Sequence, residues 1–317
     1  MNPMTSPYLS PQRARRKRLL IILIVGVLLA VFGLPFLAGF ITTYALVYAP
    51  CDNSATTPGD FGYTHWEDLT LRARAGGEFK AYYIPGNNGA AIIIPPTTRG
   101  GRGTRLHVAD LVARHGYSVL IFESRRCADM GPLSLGYKEV NEVADALAYL
   151  QSRTDVDPNR IGVYGFSSAG ATSVMAAARL PDLRAVVAEG GYGDFAEGAI
   201  GLDQASGTFV EALYKESINI SYRLLTGIDI AKLSPLDVID QIAPRPILLI
   251  YGSEERSLEG AQQQLAAAGD NAELWIVPGA GHGDYLDVMP EEYEERVVTF
   301  FDNALLNYTL DKTERDE

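Results

Sequence analysis

Positive charge, sulphur and histidine are all scarce in this chain, and each shortage removes a class of function. Its 27 Lys and Arg stand against 39 Asp and Glu, a formal net charge of −12, so the basic face that a nucleic-acid partner needs is missing. The two cysteines, Cys51 and Cys127, are far apart and form no C-x-x-C pair, which argues against a cysteine-based metal or redox centre. They are read as two independent thiols, with one disulfide as the alternative if the body of the protein is exported. Only 4 histidines are present, so few side chains can serve as a base near neutral pH. No internal repeat and no low-complexity tract breaks the 317 residues, and a 47% hydrophobic content is ample for a packed core.

One stretch does depart from the average. From Leu19 to Cys51 there is no charged residue, and Leu19 to Ile41 is almost continuously apolar. About 20 apolar residues cross a bilayer as a helix, whereas a cleavable signal carries a shorter run of ~7–15. Residues 19–41 are therefore expected to be a retained transmembrane helix, Val47-Tyr48-Ala49 being the alternative cleavage site. Arg13, Arg15, Arg16, Lys17 and Arg18 precede the span, within a basic tail of residues 1–18. By the positive-inside rule the N-terminus is cytoplasmic and the body lies outside the cytoplasmic membrane. Residues 42–60 read as a linker, 61–307 as one domain and 308–317 as a polar tail.

Within the domain, strand and helix patterns alternate. Trp66 to Arg74 has period two, a half-exposed strand, and Glu78 to Ile84 completes a hairpin. Apolar runs at Ala90–Ile94, Ser118–Phe122, Ile161–Tyr164, Arg184–Ala188, Pro246–Tyr251 and Ala272–Val277 read as strands. Between and after them lie helical patterns at Thr104–His115, Tyr137–Arg153, Ser168–Leu180, Ser257–Ala268 and Glu291–Leu306. Unbroken apolar strands alternating with helices imply a mostly parallel sheet covered on both faces, an α/β fold. Residues 191–243 have no clear strand and are too long for a plain loop, so they are expected to form a small helical cap over the sheet edge.

Chemistry concentrates at strand ends. Gly165-Phe166-Ser167-Ser168-Ala169 turns a buried strand abruptly into a helix, the geometry that pushes a serine out of the sheet edge. The frame starting at Gly165 selects Ser167 as the nucleophile, and Ser168 is the competitor. A serine nucleophile needs a base and a group that orients the base. Of the histidines, His65 and His107 have no such placement, and His115 suits the last turn of a helix. His282 sits in Pro278-Gly279-Ala280-Gly281-His282-Gly283, a loop following a strand. Between serine and histidine in the chain, Glu254 and Glu255 follow another strand, giving the order Ser, Glu, His.

These segments together resemble the α/β-hydrolases, specifically the bacterial dienelactone-hydrolase and acylaminoacyl-peptidase-like group. The likeness covers about residues 61–306 and is carried by the hairpin, Gly136-Tyr137-Lys138-Glu139-Val140, Arg160 to Gly170, Pro246 to Glu255, and Trp275 to His282. It implies an α/β-hydrolase fold, a Ser167–Glu255–His282 triad, and no metal or organic cofactor. Glu254, or Asp194 after the preceding strand, are the alternatives for the acid. The resemblance also puts the oxyanion hole at the backbone N–H groups of Ser168 and Thr98, with Thr97 as the alternative to Thr98.

Two places depart from the family pattern. Pro95-Pro96-Thr97-Thr98-Arg99-Gly100-Gly101 replaces the usual His-Gly after the third strand, and Pro96 has no N–H to give. Glu123-Ser124-Arg125-Arg126-Cys127 replaces Asp-x-Arg-Gly, and its arginines are expected to pair with the acidic surface rather than bind an anionic substrate group. The implied function is a membrane-anchored serine hydrolase acting on a small acyl ester or thioester, or a short peptide. A catalytically inactive binding or scaffold protein on the same fold is the alternative.

Overall fold

The computed structural model describes residues 11–52, 54–201 and 207–307. Residues 1–10 of the basic tail, a short part of the cap and the polar tail at 308–317 lie outside them. The chain opens with helix α1 (Pro11–Leu28), a wide turn at Leu29–Gly33, and helix α2 (Leu34–Val47). Together they form one helix long and apolar enough to cross a membrane, running on beyond Ile41 to Val47. From Leu19 to Leu29 the large apolar side chains are roughly half exposed or more on every face, so no protein surface covers that part.

The body is an eight-stranded sheet ordered β1 (Glu67–Arg72), β2 (Glu78–Ile84), β4 (Ser118–Phe122), β3 (Ala91–Ile94), β5 (Ile161–Phe166), β6 (Ala185–Glu189), β7 (Ile247–Gly252), β8 (Ala272–Val277). β1 and β2 pair antiparallel, as do β2 and β4; all other pairs are parallel. The runs of β3, β4, β6 and β7 are buried along their whole lengths because helices cover both faces. On one face α4 (Glu139–Gln151), α5 (Ser168–Arg179) and α7 (Leu258–Ala268) contribute Val143, Leu150, Val174 and Ala261 to the core. On the other, α3 (Leu106–Ala113) and α9 (Pro290–Phe301) contribute Leu111, Val112, Val297 and Phe301. This is the expected α/β-hydrolase architecture.

Between β6 and β7 the described residues contain no strand, only short turns and helix α6 (Phe209–Thr226). Thr208 caps its start by accepting from Glu211 N–H (3.1 Å), and Gly227, at φ +75°, ends it. This cap packs on the end of the N-terminal helix. Pro35, Gly39, Thr43 and Val47 recur every four residues on α2, so they share one face, and that face is buried. A Cβ on Gly39 would lie 1.6 Å from Ser217 Oγ, so only glycine permits this approach.

One expectation is corrected. Cys51 and Cys127 are not independent thiols; they form a disulfide with Cα atoms 5.0 Å apart. The end of α2 delivers Cys51 beside the loop after β4, a meeting across 76 residues that local sequence pattern does not encode. Arg125 does pair with an acid, but an internal one: its guanidinium meets Glu142 at 2.5 Å, both side chains nearly fully buried. Arg126 lies over the Tyr48 ring, 5.3 Å from its centre.

Candidate active site

The turn from β5 into α5 forces Ser167 into a conformation that few non-glycine residues adopt, φ 57° and ψ −125°. Such backbone costs about 1–3 kcal/mol and persists only when its surroundings fix it. Here Ser167 N–H donates to the Glu189 carbonyl (2.7 Å), while Gly165 and Gly170 let the turn close. A Cβ on Gly165 would come 2.1 Å from the Ala169 carbonyl oxygen, and one on Gly170 2.8 Å from that of Glu189. Ala169 is fully buried, its methyl accommodated where the family pattern has glycine.

The loop after β8 brings His282 to this turn, with Nε2 3.1 Å from Ser167 Oγ. On its other side Nδ1 lies 2.6 Å from Glu255 Oε1. A carboxylate only accepts, so Nδ1 carries the ring proton and Nε2 is free to accept from the serine hydroxyl. The Glu255 side chain is 1% exposed. Its Oε1 also accepts from Tyr285 O–H (2.6 Å) and its Oε2 from Gly252 N–H (3.1 Å). Burial, then the adjacent Glu255, raises the Tyr285 phenol well above its ordinary range, so it remains a donor.

The other acid candidates stand elsewhere. Asp194 accepts from Glu197 N–H (2.8 Å) as the cap of a short turn, and Glu254 lines the cavity without a hydrogen bond to His282.

Sequence reasoning missed the support beneath His282. The ring packs on Phe166 at 4.8 Å between centroids, and the Arg105 guanidinium lies over the Phe166 ring at 4.5 Å. Arg105 also pairs with Glu189 (3.2 Å), a buried carboxylate that accepts from Tyr164 (2.7 Å) and Tyr293. Burial pushes the Glu189 carboxyl up and Arg105 draws it back. Glu189 stands one residue past the apolar run Arg184–Ala188 read as a strand, a weak signal that needed the fold to interpret.

Ser167, Ser168, Thr98 and His282 share a cavity of about 460 Å³, within the range of small-molecule sites. As the first residue of α5, Ser168 has no carbonyl one turn behind it to occupy its N–H. The loop bearing Thr98 is pinned by the chain leaving the N-terminal helix. Gly100 N–H closes a turn on Thr97 O (3.0 Å), Asp52 N–H donates to Arg99 O (2.8 Å), and Gly101 N–H donates back to Asp52 O (3.1 Å). The far wall is apolar: Leu135, Tyr192, Phe195, and Leu46 from α2. Among the described residues no group of His, Cys, Asp or Glu is arranged to hold a metal ion.

A serine hydroxyl, an imidazole and a buried carboxylate in sequence along one cavity is the arrangement used for acyl transfer. Comparison with known proteins agrees with that at the level of family: the model of the prolyl oligopeptidase family matches residues 111–307, more than half of the chain. The chain belongs to the prolyl oligopeptidase family. It is 22% identical to the uncharacterized protein YfhR of Escherichia coli, over 77% of this chain and 84% of that protein. It is 36% identical to the uncharacterized protein PA2218 of Pseudomonas aeruginosa, but over 27% of this chain and 23% of that protein. Among solved structures, the Pyrococcus furiosus esterase Pf2001 superposes with a TM-score of 0.64 at 22% identity, covering 82% of this chain and 98% of the esterase. These likenesses bear out the α/β-hydrolase fold and the hydrolase class.

Proposed function

We propose that this member of the prolyl oligopeptidase family is a membrane-anchored serine hydrolase that cleaves an ester or thioester through an acyl-enzyme. The observation that carries the reading is the unbroken relay from Ser167 Oγ to His282 Nε2 (3.1 Å) and from Nδ1 to Glu255 (2.6 Å). Ser167 Oγ attacks the acyl carbonyl carbon as His282 takes its proton. The tetrahedral oxyanion is held by the backbone N–H groups of Ser168 and Thr98, donors that exist before the charge develops. His282 then gives the proton to the departing alcohol or thiol. Water, activated by the same imidazole, releases the acid. Glu255 fixes the ring and stabilises the imidazolium; Tyr285 and Gly252 fix Glu255.

The exposed apolar surface of the helix suits a span, and two features favour a body outside the cytoplasm: the basic residues before the helix and the Cys51–Cys127 disulfide, a bond that persists in oxidising compartments. A reporter fused after the last residue is expected to be active only outside the cytoplasm; activity confined to the cytoplasm refutes the topology. Hydrolysis of p-nitrophenyl butyrate tests the chemistry. Ser167→Ala is expected to lower kcat by about 10⁵–10⁶ with the melting temperature unchanged. A variant that keeps full activity removes Ser167 from the mechanism.

A further inference from the structure

The first half of α6 carries apolar side chains with no protein cover, at a level where the N-terminal helix is still within its apolar run. The two helices run side by side in the same direction. Phe209 meets Phe32 edge-on with ring centres 5.6 Å apart. Further along, Ser217 Oγ lies 3.3 Å from the Pro35 carbonyl oxygen and 2.8 Å from that of Tyr214, and Ile218 and Tyr222 join Val47 and Ala49 in one apolar cluster.

A hydrocarbon layer takes roughly 20 helical residues, so one that begins at Leu19, just past Arg18, ends near Ala38. Phe32, and Phe209 beside it, then lie about 9 Å inside the outer boundary. Phe209 is 59% exposed and Val210 50%. Val25, Leu28, Phe32 and Phe36 of the span and Leu213 of α6 line an apolar groove of about 630 Å³. Of the three charges on the first turns of α6, Glu211 and Lys215 pair with each other at 3.2 Å, and the exposed Glu216 stands about 10 Å further along the helix than Phe209, level with the outer boundary. Higher up, the Phe40, Tyr44 and Tyr48 rings stack at 6.3 and 4.7 Å, aromatic residues of the kind that settle at the membrane–water interface.

The same helix reaches the chemistry. Leu46 lines the cavity of Ser167, about 12 Å along the helix from the boundary at Ala38. We propose that α6 dips into the outer leaflet beside the span, and that the substrate is a membrane-resident long-chain acyl ester drawn up along the helix into this cavity. This rests on the serine-hydrolase reading above and on the span crossing a bilayer. The acyl chain meets Leu46, Leu135, Tyr192 and Phe195 while the ester carbon reaches Ser167 Oγ. The new Ser167–acyl bond forms as the ester C–O bond breaks, the alcohol leaves with the proton from His282, and water then releases the fatty acid.

The test uses the full chain in phosphatidylcholine vesicles with two substrates, dioleoylglycerol in the bilayer and p-nitrophenyl butyrate in the water. The wild-type protein is expected to turn over both. The double substitution Phe209→Ser/Val210→Ser is expected to lower dioleoylglycerol turnover at least tenfold while p-nitrophenyl butyrate turnover stays within twofold. Equal turnover of dioleoylglycerol, parallel loss on both substrates, or a wild-type protein active on p-nitrophenyl butyrate alone overturns the proposal and leaves the hydrolase reading standing. A wild-type protein inert to both substrates refutes the hydrolase reading itself, and the proposed substrate with it. Immersion is read without activity: the fluorescence that Phe209→Trp adds over Trp66 and Trp275 is expected to be quenched by dibrominated phosphatidylcholine, and an unquenched signal overturns the immersion of α6.

Discussion

Ser167, His282 and Glu255 stand at the ends of β5, β8 and β7, on turns bolted to the central sheet, whereas the facing wall of the same cavity comes from the cap and from a helix that leaves the sheet altogether. On the sheet side each group is over-determined. Ser167 is held by two glycines and a backbone hydrogen bond, His282 by Phe166 and Glu255, and Glu255 by Tyr285 and Gly252. On the other side Leu46, Tyr192 and Phe195 are positioned mainly by apolar packing around α2 and α6, with a close contact at Gly39 and hydrogen bonds from Tyr192 O–H to Leu135 O (2.5 Å) and from Phe195 N–H to Leu233 O (2.9 Å). The contrast teaches a division of labour: the sheet holds the Ser167, His282 and Glu255 geometry, and on the proposed reading the cap and the N-terminal helix choose the acyl group. The loop of Thr98 bridges the two, because the Cys51–Cys127 disulfide and Asp52 tie it to the chain leaving the helix.

That division can be broken from either side. The largest expected effect is on the sheet side: Glu255→Gln should lower kcat by about 10⁴, as losing the group that fixes the histidine tautomer does. Glu254→Gln and Asp194→Asn should change kcat less than about twofold, and a larger loss in either moves the acid. Next, Arg105→Met strands the buried Glu189 carboxylate and removes the guanidinium over the Phe166 ring. Removing one partner of such a pair costs about 3–5 kcal/mol, read as a fall in urea midpoint, with kcat dropping more than KM rises because the ring under His282 loosens.

Replacing Cys51 and Cys127 by serine is expected to cost about 2–5 kcal/mol of stability. It should also slow kcat, by less than the ~10²–10³ that a missing oxyanion donor costs. Gly39→Leu has the smallest effect. Overpacking this helix contact should cost about 1–3 kcal/mol and raise KM for long acyl esters while kcat for short ones holds. A fall in kcat for both would mean that the two walls are not separable.

Much of the sheet side was legible in the sequence because its signals are local. Apolar runs marked β3, β4 and β7 to within a residue, and glycines around Ser167 marked the turn. The family pattern then favoured Glu255 over Glu254, one residue apart, and Glu255 is the one within 2.6 Å of His282. The lateral order, with β4 between β2 and β3, has no local signature. The facing wall was much less readable. An apolar run reads the same whether lipid or protein covers it, so residues 42–47 were assigned to a linker although Val47 and Leu46 end on the cap and in the cavity. Gly39 and Thr43 were the only hints of a packed face. Tyr285 and Arg105 act through contacts that exist only once the chain is folded.

The central claim, that Ser167 is a nucleophile activated by His282 and Glu255, is tested most directly by exposing the membrane-embedded full chain to a fluorophosphonate and mapping the adduct by mass spectrometry. The account predicts a single adduct on Ser167, formed at least a hundredfold more slowly in His282→Ala. An adduct on Ser168, or no adduct on the folded wild-type protein, would contradict it.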